Sequence, residues 1–225
     1  YSQWVLPPLF ILMQNDYGVS FAALGLMITI INASSALALM PIGFMVDRFG
    51  AKRILISGLL IKTFSIGAMA LTSSYEVLLI LAAVAGVGHA VFHPADYSIL
   101  MSSISESRIG KAFSIHTASG TAGTALGPIV IVLIAQFWDW KTAVLSVAFL
   151  GAITGLAMIL QANIIHDNMT NKREAAHSKK VGLGIKGGLT LMLQPSFIIL
   201  YLFFICRQSV VYYPSISCEL AVNQL

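Results

Sequence analysis

The sequence predicts an all-α integral membrane protein with about seven transmembrane helices, and three observations predict it. Hydrophobic residues make up 57% of the 225-residue chain, charged residues only 10%, and the mean hydropathy is +0.85. Soluble domains carry roughly 25% charged residues, so a chain this apolar lacks the polar surface to face water on every side. Long apolar runs show no period-two alternation, and a segment that crosses lipid must satisfy its own backbone, which leaves helices. Finally, the basic residues gather in alternate connections between those runs, the charge asymmetry of a multi-pass protein.

The elements follow in order. A helix over residues 1–14 would rise only ~21 Å against a ~30 Å hydrocarbon core, so we read it as the remaining part of a first span and the chain as a fragment. Runs long enough to cross follow at 21–46, 54–72, 77–100, 112–137, 143–165 and 189–213, while the tail 215–225 is too polar for another. Arg48, Lys52 and Arg53 follow span two, Arg108 and Lys111 follow span four, and Lys172, Arg173, Lys179, Lys180 and Lys186 follow span six. Lys141 alone lies in an opposite loop, and Lys62 and Arg207 fall inside spans. The positive-inside rule then puts the amino terminus and the basic loops in the cytoplasm of a plasma or inner membrane. A net charge of +4 spread over loops this way is no nucleic-acid surface. Cys206 and Cys218 read as two free thiols, and the Asn168-Met-Thr170 sequon, on a cytoplasmic loop, would go unused.

Between spans two and three stands the one dense charge cluster of the first hundred residues, Gly43-x-x-x-Asp47-Arg48-x-Gly50-x-Lys52-Arg53. This pattern resembles the loop signature of the major facilitator superfamily of secondary transporters, with every polar and glycine position filled. The resemblance implies a bundle of two six-helix halves. Residues 1–165 would form the amino-terminal half, 166–186 a cytoplasmic linker, and 187–225 the start of a second half. It also implies that Asp47 latches onto a helix amino terminus of the other half, where the backbone carries partial positive charge. Arg48 and Arg53 would hold lipid phosphates or a second acid, Lys52 would add to the basic turn, and Gly43 and Gly50 would allow close approach and a tight turn. Relatives carry an acid near the cytoplasmic end of span four; here Met101-Ser-Ser103 has none.

Span four holds the richest chemistry. His89, His93 and Asp96 fall at i, i+4 and i+7, one helix face. An ionisable group at membrane depth costs about 2.5–3.5 kcal/mol on insertion scales and faces a cavity or a partner. The stretch Gly86-Val-Gly88-His89-Ala-Val-Phe92-His93-Pro94-Ala95, with Lys111-Ala-Phe-Ser-Ile-His116, is similar to the fosmidomycin-resistance-like branch of the superfamily. We therefore place His89, His93, Asp96 and His116 on a substrate or proton pathway, though Ala82 stands where many drug–proton antiporters carry an arginine. Arg207, on the seventh span that the resemblance puts at the cavity, suits an anionic group through its planar fork. Lys62 reads as a structural partner of an unseen acid. In span five, Gly120-x-x-Gly123-x-x-x-Gly127-Pro128 offers small residues for helix packing and a proline kink, and Ile131 and Val132 replace the trailing glycine pair of the antiporter motif.

The reading is a secondary transporter and not an enzyme: a monomer in lipid, without cofactor or metal, moving a small anionic or amphiphilic solute by alternating access with the proton as coupling ion. Two other classes stay open. The span count alone fits a seven-helix receptor or sensor, but the predicted orientation is reversed and the charged loop has no role there. His89, His93 and Asp96 have the spacing of metal ligands in a membrane-embedded metalloenzyme, without a complete ligand set.

Overall fold

A computed structural model describes residues 5–161. All of its regular structure is helical among the described residues. A 3₁₀ turn, Pro7–Leu9, leads into α1 (Phe10–Tyr17), followed by α2 (Phe21–Phe49), α3 (Ala51–Met69), α4 (Tyr75–Ala90), α5 (Phe92–Ser103), α6 (Ile109–Phe137) and α7 (Trp140–Leu160). Spans 21–46, 54–72, 112–137 and 143–165 correspond to α2, α3, α6 and α7, each within a few residues of the expected bounds. Four helical segments are long and apolar enough to cross a membrane: Phe21–Phe49, Tyr75–Ser103, Glu106–Phe137 and Trp140–Leu160. Helix α3 has 19 residues, a rise of ~29 Å, but carries Lys52, Arg53 and Lys62. The expected seventh span, the linker, Arg207 and both cysteines lie outside the described residues.

Local chemistry sets the helix ends. Ser20 and Ser74 cap α2 and α4 by accepting from the Ala23 and Val77 amides at 3.2 and 3.4 Å, and Asp139 caps α7 through Thr142 at 2.7 Å. Helix α2 stops at Gly50, whose φ of +96° an L side chain rarely adopts, so α3 turns back within one residue.

One expected span is interrupted. The run 77–100 forms α4 and α5, separated at Val91, which keeps right-handed helical angles. Pro94 explains the gap: it has no amide to donate to the Ala90 carbonyl, and its ring crowds that carbonyl.

Two apolar clusters hold the helices. The first lies toward the end of the bundle opposite the basic turns. It joins Leu6, Leu9 and Met13 with Leu24 and Met27 of α2, Ile66 and Met69 of α3, Leu78 and Ala82 of α4, Ile131 of α6 and Val144 of α7. The second lies toward the basic end and joins α2, α3, α4 and α5 through Ile42, Val46, Ile54, Leu55, Ala90, Val91 and Ala95. Outward faces are apolar too: Leu37 is 80% exposed and Phe149 67%. Lipid is the solvent such faces suit, and between helices in lipid it is close packing rather than water exclusion that holds.

The close approaches are made by glycines. A Cβ on Gly88 would stand 2.8 Å from the Gly58 carbonyl oxygen and 2.8 Å from the Lys62 amide, which brings the backbones of α3 and α4 together. Gly86 sits against Ile31 and Ser34 of α2, and Gly151 against Thr63 of α3.

Candidate functional site

The polar side chains of span four divide between two neighbours. Upstream of the interruption, His89 belongs to α4, and Lys62 of α3 lies beside it because Gly58 and Gly88 let the two backbones touch. Lys62 Nζ is 3.1 Å from His89 Nδ1 and 4.8 Å from the centre of the Phe92 ring. Only 8% of Lys62 is exposed, and it is the one buried charged residue among those described. The expectation of an acid partner is not met among the described residues; the partner there is an imidazole.

Downstream, α5 turns to α6. Asp96 Oδ2 is 3.8 Å from His116 Nε2, with both side chains partly buried. Measured from the connection between α5 and α6, each residue is seven positions into its helix, about 10 Å of rise. Tyr97 organises the surroundings: its ring is 5.2 Å from Phe113, 5.8 Å from His93 and 6.3 Å from His116. His93 is exposed; its ring lies against Tyr97, and it also acts electrostatically on Asp96. Along the expected stripe His89 pairs with Lys62 and Asp96 with His116, while His93, between them on the chain, acts electrostatically on both.

The charged turn lies at the basic end of α2 and α3. Asp47, Arg48 and Arg53 are exposed, Lys52 is partly exposed, and the Arg48 guanidinium sits 5.4 Å over the Phe49 ring. Gly50 supplies the turn, as expected. A Cβ on Gly43 would meet nothing within 4 Å among the described residues, so its expected close approach has no partner there. In α6, Pro128 lies inside the helix, Gly127 comes against Val5, and the space beside Gly123 is open among the described residues.

At the opposite end stands a polar group that sequence reasoning missed. Asp16 Oδ2 accepts from Trp140 Nε1 at 2.9 Å and pairs with Lys141 Nζ at 3.1 Å, and the Tyr17 hydroxyl reaches the Met69 and Thr72 carbonyls at 3.1 and 2.9 Å. The Trp140 hydrogen bond, then the Lys141 bond and charge, hold the Asp16 carboxyl below its ordinary value of 3.8. Trp140 beside the lone opposite-loop lysine was the available signal.

The Major Facilitator Superfamily model matches residues 1–217. The chain is 30% identical over 149 residues to the fosmidomycin resistance protein of Escherichia coli (strain K12), which covers 66% of this chain and 36% of that protein. It is 27% identical over 161 residues to the methylenomycin A resistance protein of Bacillus subtilis (strain 168), covering 71% of this chain and 34% of the relative. Identity to the multi-drug resistance efflux pump PmrA of Streptococcus pneumoniae serotype 4 is 29% over 171 residues, 75% of this chain and 41% of the pump. The matched stretches span 34–41% of these relatives' lengths, and the residues that the family model matches include the charged turn between α2 and α3. Helices, apolar spans, charged turn and family match converge: the chain belongs to the major facilitator superfamily of multi-pass membrane proteins.

Proposed function

We propose that this chain is the amino-terminal part of a secondary transporter that moves a small anionic or amphiphilic solute by alternating access, coupled to protons. The Asp96–His116 pair carries the proposal. Two groups of complementary charge on adjacent spans, about 10 Å into the membrane, have few roles except a structural lock or a proton relay. Histidine changes charge near neutral pH, so gain or loss of one proton switches this contact between an ion pair and a weaker hydrogen bond. A cycle in which α5 and α6 separate in one state would exchange that proton with solution. Relatives named for drug resistance and efflux support export as the direction to test first. The basic end then faces the cytoplasm, and Asp47 acts on the equilibrium between the halves. Arg207 and His93 remain proposed pathway residues, and His89 a determinant of solute affinity.

The test uses the full-length protein in a drug-sensitive host, with fosmidomycin and methylenomycin A as trial solutes. Asp96→Asn, His116→Gln and His93→Gln are expected to flatten the pH dependence of efflux more than they weaken solute binding. If all three keep the parent's pH profile, coupling does not pass through this face. Asp47→Asn is expected to insert at normal abundance with reduced transport. Wild-type transport by that variant would reduce the charged turn to a topological signal.

A further inference from the structure

The Lys62–His89 contact fixes more than a position. An ammonium has three donors and no acceptor, so a charged Lys62 can bond Nδ1 only if that nitrogen carries no proton. Lysine is the more basic of the two by about four pH units in water, and the Phe92 face 4.8 Å from Nζ favours the cation further. At 3.1 Å the two groups do not both carry a charge. One positive charge therefore belongs to the pair, and it resides on Lys62.

Among the described residues, the other titratable group that acts on His89 is His93. Of the ionisable side chains on the packed helices, Asp96 is engaged by His116 of α6, and His93 is exposed beside Tyr97. Glu76 and Lys141 begin α4 and α7 at the opposite end, and Asp47, Arg48, Lys52 and Arg53 occupy the basic turn. His89 is the central residue of the span Tyr75–Ser103, about 21 Å of helix rise from either terminus.

We propose that Lys62 is a positioning residue for His89: it carries the fixed charge and locks the imidazole neutral, proton on Nε2. The pair then offers one hydrogen-bond donor, Nε2–H, to an oxygen acceptor at mid-membrane, and His89 takes no part in proton exchange. This deepens the transport reading by separating a solute-facing histidine from the proton-bearing His116, and it rests on that reading for the solute alone.

The experiment is ¹⁵N NMR of the histidine-labelled full-length protein in lipid nanodiscs, with the His89 signal assigned by its loss in His89→Gln. The expected wild-type spectrum shows His89 as the neutral Nε2–H tautomer from pH 8 to pH 6. In Lys62→Met its proton affinity rises at least tenfold, about one pH unit, and the tautomer preference is lost; Lys62→Arg keeps both. An Nδ1–H tautomer or an imidazolium at His89 in the wild type above pH 6 overturns the proposal, even if Lys62→Met does not fold. An unchanged His89 titration in Lys62→Met also overturns it. Since the readout needs no transport, failure of the transport reading and failure of the lock are distinguishable.

Discussion

The two ends of the bundle are built differently. Opposite the basic turns, side chains from every described helix except α5 meet in one apolar cluster, closed by Asp16, Trp140, Lys141 and Tyr17. Toward the basic end the buried apolar cluster is built from α2 through α5 with Met158 of α7 packed against it, and α6 is met there by the Asp96–His116 pair and by Tyr97 on Phe113. One end is packed; the other is joined to α6 by polar and aromatic contacts. Close packing has a single arrangement and a steep penalty for leaving it, whereas a polar pair can be broken and remade at little cost if a proton or water replaces a partner. The difference suits a bundle that moves as a body at one end and rearranges at the other.

The comparison is broken most severely where the helices touch. Gly88→Leu forces a side chain into the Gly58 carbonyl and the Lys62 backbone, so α3 and α4 must part. Overpacking costs about 1–3 kcal/mol even where side chains can yield, and backbone yields less. The expected outcome is loss of the monodisperse peak in fluorescence-detected size-exclusion chromatography. A well-folded Gly88→Leu protein would mean that the two helices are not in contact there.

Next come the clusters themselves. Leu24→Ala removes a fully buried side chain from the larger one and is expected to cost about 2–5 kcal/mol. Ile42→Ala in the smaller cluster is expected to fall at the bottom of that range, since a thinner core collapses more readily around the void. Thermal melting in detergent compares the two, and equal losses would erase the distinction between the ends.

Asp16→Asn tests the polar closure and is expected to cost about 1 kcal/mol, a charged hydrogen bond discounted for the exposure of both Asp16 and Lys141. The sign with pH is fixed. Because the folded carboxyl lies below 3.8, its contribution is complete at neutral pH and is lost as the pH falls through 3.8 toward the folded value. The wild type should therefore lose melting temperature on acidification below pH 4 faster than Asp16→Asn does. Parallel curves would remove the closure from the account.

The smallest effect belongs to Gly123→Ala. With open space beside it among the described residues, alanine is expected to be neutral or to stabilise α6 by up to about 1 kcal/mol through helix propensity. A clear loss of stability or transport would instead show that another part of the full-length protein packs on that face.

The charged turn and the four spans answering to α2, α3, α6 and α7 were legible because each is a property of consecutive residues. Pro94 was visible too, yet its consequence, the interruption at Val91, was not foreseen, because a proline within an apolar run can leave a transmembrane helix continuous. Gly123 and Gly127 attracted attention through their spacing. The glycines that make the tightest described contacts, Gly58, Gly86, Gly88 and Gly151, sit in less patterned surroundings, and each is explained by the residue on the facing helix.

What the sequence determined by itself was the solvent, the class of secondary structure and the place of the charged turn, because hydropathy and charge along a chain act through lipid and helix geometry alone. Which residues meet was decided by tertiary structure. Lys62 pairs with His89 because α3 and α4 approach at glycine, and Asp96 pairs with His116 because α6 returns along α5 at matching depth. Rotation and separation of neighbouring helices set those partners, and no periodicity within a single helix encodes either one.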